Sequence, residues 1–376
     1  MNIMNIIAAD DSAASESHNV HNVHNGSNPP SGSLARHESW IDGFRGVAIL
    51  AVLAIHILPR LFAQCTRETP LWYALVTLHR ACFFAVPGFL MLSAMVNAHS
   101  LLRNPDLRRY AWSRAQSVLW PYLVWSAVFV AYRKLDNPET FHFQTVPALL
   151  WYGKSFPHLY FMVLLIQLLI LLPLLLPLLR RKPSPQAIAT AALIVTAATY
   201  LANRLWLRLP APASVILWYT PAVCFGLALA LRFDRVQTIL RRSAPLAALA
   251  VALSLLWYAP CALDQAMHKH ARFDGAIYQA SEWVFTTGMA LLAMFAATRI
   301  GEGRARAVLG YLGRNSLQIY LAHPLFLALL DDVPHVTFRV GVKGAFILLF
   351  GIALAVPILL AESARRLRLS PLLFGR

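Results

Sequence analysis

The stretch ESWIDGFRGVAILAVLAIHI, residues 38–57, decides the fold. It is apolar enough to enter a bilayer, yet Asp42, Arg45 and His56 interrupt it. On a helix the step from Arg45 to His56 turns about 1,100°, within about 20° of three full turns, so the two share a face about 16 Å apart along the axis. Asp42, three residues before Arg45, is near enough to orient it. A polar stripe then runs from a cationic entrance at the membrane surface to an imidazole near mid-membrane. Ionisable groups in an apolar span are costly, which makes each a functional candidate. The plainer reading makes His56 a helix–helix hydrogen-bonding group and Arg45 a surface anchor.

The rest of the chain fits a membrane setting. Of its 376 residues 58% are hydrophobic and 13% charged, with a net charge of +16. Soluble domains carry about 25% charged residues, so too little polar material exists here to cover a water-facing surface. That excludes a soluble enzyme, a disordered chain and a fibrous one. Ten Trp, 12 Tyr and 20 Phe supply interfacial aromatics.

From residue 38 onward, apolar runs alternate with short basic connectors. A span needs about 20 apolar residues, and ten runs qualify: 44–62, 74–96, 113–132, 158–179, 186–202, 213–231, 243–261, 280–298, 315–331 and 341–362. Ten spans put both termini on one side. That side receives twenty-one of the 33 lysines and arginines and the other side eleven, while Arg80 stays inside a span. The excess marks the cytoplasmic face. The expectation is an all-α, polytopic membrane helix bundle in the plasma (inner) membrane with both termini cytoplasmic. The basic surplus is then topology, and no nucleic-acid partner is implied. Residues 1–37, rich in Ser, Asn, His and Gly, read as a disordered cytoplasmic tail, 38–365 as the transmembrane domain and 366–376 as a second cytoplasmic tail.

Other polar groups in or beside the apolar runs extend the candidate set. The second run, LHRACFFAVPGFLMLSAMV (78–96), carries His79 and Arg80; Arg80 either faces a cavity or snorkels outward. In the fourth, His158 and Tyr160 sit at the outer edge with Gln167 deeper, and Tyr160 also suits an interfacial belt. The ninth, NSLQIYLAHPLFL (315–327), places Ser316, Tyr320 and His323 on one helical stripe. Histidine has the acid–base range that a hydroxyl attacking a thioester requires, and a guanidinium grips phosphate bidentately. A carrier with phosphates at one end and a thioester at the other matches the Arg45–His56 spacing.

Metal chemistry has weak support. His18, His21 and His24 recur every third residue in the tail, and His268, Lys269 and His270 with Asp264 and Asp274 occupy an outer loop; both sets read as solvated. Asp331, Asp332 and His335 follow the ninth run and suit caps or acceptor contacts. Among the four cysteines, Cys65 and Cys261 lie near outer span ends, where one disulfide is conceivable, though pairing is not readable from sequence. No P-loop, GxSxG or HExxH motif occurs.

Taken together the motifs resemble the acyltransferase 3 family of integral-membrane O-acyltransferases. IDGFRGVAILAVLAIHI resembles its opening signature with the Arg-x10-His element, here Arg45 and His56. CFFAVPGFLMLSA resembles its FFxxSGF stretch, with Pro87 where the family usually has Ser. RRYAWSRAQSVLWPYLVWS resembles the basic connector before the third span; Arg114 matches a recurrent Arg, and Ser117 occupies an often basic position. HLYFMVLLIQLLILLPLL and NSLQIYLAHPLFL are similar to two later signatures. His79 before the Phe pair, and HLYF, bring the chain nearest the branch that acylates extracellular polysaccharides, the intercellular adhesin O-succinyltransferases among them.

The resemblance implies a catalytic His56, as base or acyl carrier, and donor-binding by Arg45, Asp42 and Arg114. His79, Arg80, His158, Tyr160, Tyr320 and His323 are expected to contact substrate. The donor implied is cytoplasmic acyl-CoA with acetyl the expected group, no metal is needed, and the acceptor is a sugar hydroxyl of a cell-surface or lipid-linked glycan. A polysaccharide exporter or flippase is the alternative, because a buried polar stripe also suits a translocation path. The oligomeric state is not legible.

Overall fold

The computed structural model describes residues 32–139, 141–267, 275–331 and 340–375, with side chains from Ser39 onward. The histidines of the tail, His268, Lys269, His270, Asp274, Asp332 and His335 lie outside the described residues. Among the described residues there is no strand.

Each of the ten apolar runs is helical. α1 spans Gly32–Phe62, beginning inside the segment expected as tail. α2 (Pro70–Ala81) and α3 (Ala85–Arg103) are joined by a 3-10 turn at Cys82–Phe84. α4 (Leu107–Arg114) and α5 (Trp120–Asp136) are joined through a π-helical segment at Ala115–Leu119. Then come α6 (Val146–Tyr152), α7 (Tyr160–Arg180), α8 (Pro185–Ala202), α9 (Thr220–Ala230) and α10 (Val236–Met267). α11 (Gly275–Arg299), α12 (Arg304–Arg314), α13 (Ser316–Asp331), α14 (Gly341–Arg366) and α15 (Ser370–Phe374) complete the described chain.

Among the described residues, seven helical segments are long and apolar enough to cross a membrane. The ninth run, α13, and the sixth, Ile216–Ala230, are shorter apolar helices, and the third is the interrupted α4–α5 helix. The bundle is a polytopic helical one. Local signals explain the helix starts: Thr69 and Ser184 cap α2 and α8 ahead of Pro70 and Pro185, and Asp106 caps α4 by accepting from Arg109 N at 2.9 Å. Prolines sit inside α1, α7, α10, α13 and α14, where neighbouring helices can satisfy the freed carbonyls.

The core forms around α1, whose Trp40, Ile41, Phe44, Ile49, Leu53 and Ile57 are buried. α12 lies along it at backbone contact. A Cβ on Gly46 would overlap the Leu309 carbonyl, and one on Gly313 would overlap the Asp42 carbonyl. Between membrane helices, association relies on such close packing because lipid is as apolar as leucine. Segment Pro185–Leu207 is only 11% buried and lies at the rim. The four cysteines are free, so no bond joins Cys65 to Cys261.

Backbone contact with no side chain between leaves nothing to give way. Gly313→Ala should lower the thermal unfolding midpoint of the detergent-purified protein, as overpacking of about 1–3 kcal/mol would. Gly43→Ala, where an added Cβ meets nothing within 4 Å, should leave the midpoint unchanged or raise it.

Candidate active site

Two connected regions are built on α1. The first is a cavity of about 360 Å³ at the end of the bundle carrying Arg45, Arg314 and Arg365. Asp42 anchors it. Its Oδ1 accepts from Arg45 Nη1 at 3.1 Å, and its Oδ2 lies 3.8 Å from Arg314 Nη1. Arg45 is 7% exposed and Asp42 8%, so the pair is fixed in place. Arg365 donates to Asn315 Oδ1 at 3.4 Å and to Glu362 at 2.7 Å. Two carboxylates thus face three guanidiniums, and the balance at the cavity is positive.

The walls are mixed. Phe89, Leu92, Phe161 and Leu165 supply an apolar side, while Ser93, Ser117, Ser316 and Gln318 supply polar groups. Ser117 Oγ and Gln318 Oε1 are buried with no protein hydrogen-bond partner. Buried polar atoms are nearly always paired, so two unpaired ones on a single cavity wall suit a polar ligand. Ser117 lies in the π-helical segment, a distortion common at functional sites.

Tyr320 connects this cavity to the second region. It lines the cavity, its hydroxyl donates to the His158 carbonyl, and its ring stands 5.1 Å from the His158 ring. Beyond it three histidines from α1, the start of α7 and α13 converge. Ring centroids are 5.1 Å apart for His56–His323, 5.9 Å for His158–His323 and 6.3 Å for His56–His158. His323 Nδ1 lies 2.8 Å from the Ile319 carbonyl. A carbonyl only accepts, so Nδ1 carries the proton and Nε2 of the neutral ring holds the lone pair. That Nε2, like both ring nitrogens of His158, is buried without a protein partner. Arg60 closes the far end, donating to the His56 carbonyl at 2.5 Å and to Asp331 through Nε and Nη2.

The sequence-derived candidates therefore divide. Arg45 and Tyr320 line the cavity, Asp42 stands behind Arg45 as its ion-pair partner, and His56, His158, Tyr320 and His323 form the cluster. His56 does not line the cavity with Arg45; Tyr320 and His158 stand between, because α13 and the start of α7 pack against that stretch of α1. His79 stacks edge-on against Phe62 and Phe83, next to the cluster rather than in it. Arg114 sits over the Tyr110 ring at 5.3 Å in a small separate cleft with Ser100 and Asp106. Arg80 and Tyr160 belong to a third group around Glu282. Gln167 is structural, bridging Ser214 O and Ile216 N.

Three residues join the site without a sequence argument for them. Arg314 and Arg365 read only as topology charges, and nothing in their spacing shows that they meet Arg45. Glu282 carried a usable signal, an acidic residue inside the eighth apolar run. Among the described residues no group of three or more His, Cys, Asp or Glu converges in a way that could hold a metal ion.

Removing one partner of a buried ion pair strands the other charge. Asp42→Asn should destabilise the protein by about 3–5 kcal/mol, measured by unfolding in detergent, and Asp42→Asn combined with Arg45→Gln should recover part of that loss.

Comparison with known proteins bears on what this geometry serves. No curated protein and no solved structure matches the chain. Residues 38–362 match the acyltransferase 3 family, described as an acyltransferase domain. That range holds the histidine cluster, all ten apolar helices except the first residues of α1 and the last of α14, and the arginine cavity apart from Arg365, Ser370 and Phe374. The chain belongs to the acyltransferase 3 family and is a membrane acyltransferase.

Proposed function

We propose that the protein moves an acyl group, acetyl by expectation, from cytoplasmic acyl-CoA to a sugar hydroxyl of a cell-surface or lipid-linked glycan. The observation that carries this reading is the continuity from Arg45, Arg314 and Arg365 through Tyr320 to His56, His158 and His323. The arginine end suits the phosphates of the donor, and Ser117 Oγ and Gln318 Oε1 offer polar contacts along its length. With the basic excess placed in the cytoplasm, this end opens inward and the histidines lie toward the outer face of the plasma membrane. Both termini are then cytoplasmic, and a glycan acceptor approaches from outside, in keeping with the branch of the family nearest in motif.

His56 has the role of base. It takes the proton of the attacking hydroxyl as the sugar oxygen bonds to the thioester carbonyl, and returns it to the departing thiolate as the C–S bond breaks. The same position would serve an acyl-histidine route. His323, with its lone pair at Nε2, is placed to tune the neighbouring imidazole, and Arg60 fixes the backbone of His56.

Two variants test the assignment in membranes supplied with labelled acetyl-CoA and the native glycan. His56→Ala should reduce transfer by about 10²–10⁴-fold while protein level is maintained; undiminished transfer sinks the role of His56. Arg45→Lys keeps the charge but loses the planar fork, and should raise the donor KM more than it lowers kcat.

A further inference from the structure

We infer that Glu282 is the centre of an acceptor subsite for a neutral sugar ring, at the end of the bundle opposite the arginine cavity; this rests on the acyltransferase reading above. Glu282 lies seven residues into α11, about 10 Å along its axis, while Arg299 ends that helix on the other side. An acidic side chain inside an apolar helix needs partners or a function. Its carboxylate accepts from Gln279 Nε2 at 3.1 Å and hydrogen-bonds the Tyr278 hydroxyl. That hydroxyl also accepts from Arg80 Nη1 at 3.3 Å, so its one proton is left for Glu282.

The guanidinium and the carboxylate do not close on each other. No described ion pair joins Arg80 to Glu282, Tyr278 stands between them, and Arg80 Nε is buried with no hydrogen-bond partner. A pair kept only for structure would gain most by direct contact in a low dielectric. Held apart, the two present what vicinal hydroxyls require: a carboxylate that accepts two O–H groups and a guanidinium that donates to their oxygens. The carboxylate disfavours an anionic ring and the Arg80 guanidinium a cationic one, which makes a neutral ring the class that suits both.

Aromatic groups occupy the adjoining face of α11. Trp283 follows Glu282, and its ring stands 5.3 Å from Trp218 and 6.1 Å from Tyr200. Its Nε1 is buried without a partner. The Tyr160 and Tyr219 hydroxyls bond each other within electrostatic range of Glu282. Such rings offer an apolar face for the C–H side of a pyranose and a polar edge for its hydroxyls. Tyr160 also stands within range of the Tyr320 hydroxyl, and His158 precedes it by two residues. Tyr160 thus links the group around Glu282 to Tyr320.

The test uses the full-length protein in liposomes, acetyl-CoA, and unacylated surface polysaccharide purified from a strain lacking this chain. Glu282→Gln should raise the acceptor KM at least tenfold and leave the donor KM within twofold, with partial recovery in Glu282→Asp. Without donor, the polysaccharide should change tryptophan fluorescence saturably, and Trp283→Phe and Glu282→Gln should abolish the change. Should Glu282→Gln fail to accumulate, Tyr278→Phe carries the same comparison.

An unchanged acceptor KM, or donor and acceptor KM rising together, overturns the subsite. So does a lowered unfolding midpoint with normal acceptor KM, the mark of a structural role. Wild-type transfer with no dependence on Glu282 overturns the subsite and leaves the acyltransferase reading intact. Glu282-dependent fluorescence without wild-type transfer upholds the subsite and overturns that reading.

Discussion

Asp42 is held from two directions, and much of the structure depends on how. Its backbone carbonyl lies against Gly313, where even a methyl group would not fit. Its carboxylate binds Arg45 and reaches Arg314. The first contact sets the distance between α1 and α12; the second brings charge from both helices to one point. Neither arrangement survives without the other. If α12 moved away, Arg314 would leave and Asp42 would keep Arg45 as its single partner in a low-dielectric setting, where under-paired charge is costly.

From that point the site is a consequence of helix geometry. Eleven residues along α1, the face that carries Arg45 returns as His56. α13 follows α12 after Asn315, so fixing α12 against α1 also delivers Tyr320 and His323. α7 begins at Tyr160, and the residues just before it bring His158 to the same place. Arg60 and Asp331 then tie the far ends of α1 and α13 together. α1, tied by ion pairs to α12 at one end and to α13 at the other, therefore holds both the positive cavity and the histidines.

Six side chains with unpaired polar atoms fall into three groups. Ser117 Oγ and Gln318 Oε1 line the cavity, His158 and His323 Nε2 mark the cluster, and Arg80 Nε and Trp283 Nε1 mark the group around Glu282. In the rest of the bundle polar side chains commonly bond a nearby backbone carbonyl, as Ser254 does to Val251 and Thr286 to Glu282. Helical carbonyls are always within reach, so a side chain that ignores them is held away by packing. Unpaired atoms also occur elsewhere, at Ser126, Ser155 and Thr196; on the function proposed above, the three groups are a donor, a reacting and an acceptor region.

The amino-acid sequence alone determined the membrane class, the positions of the ten helices and the Asp42–Arg45–His56 register. Those follow from composition and from a period of 3.6 residues, both local properties. It also showed which polar groups lie in apolar runs, His158, Tyr320 and His323 among them, because burying such groups is costly wherever it happens. Tertiary structure alone decided which of them meet. Arg314 and Arg365 join Arg45, while Arg114 and Arg80, equally conspicuous in sequence, go elsewhere. Tyr320 and His158 come between Arg45 and His56, separating a stripe that is continuous on one helix into two regions. Helix order along the chain does not specify helix neighbours in the bundle. Those are set by where glycine permits backbone contact and by which buried charges must be paired.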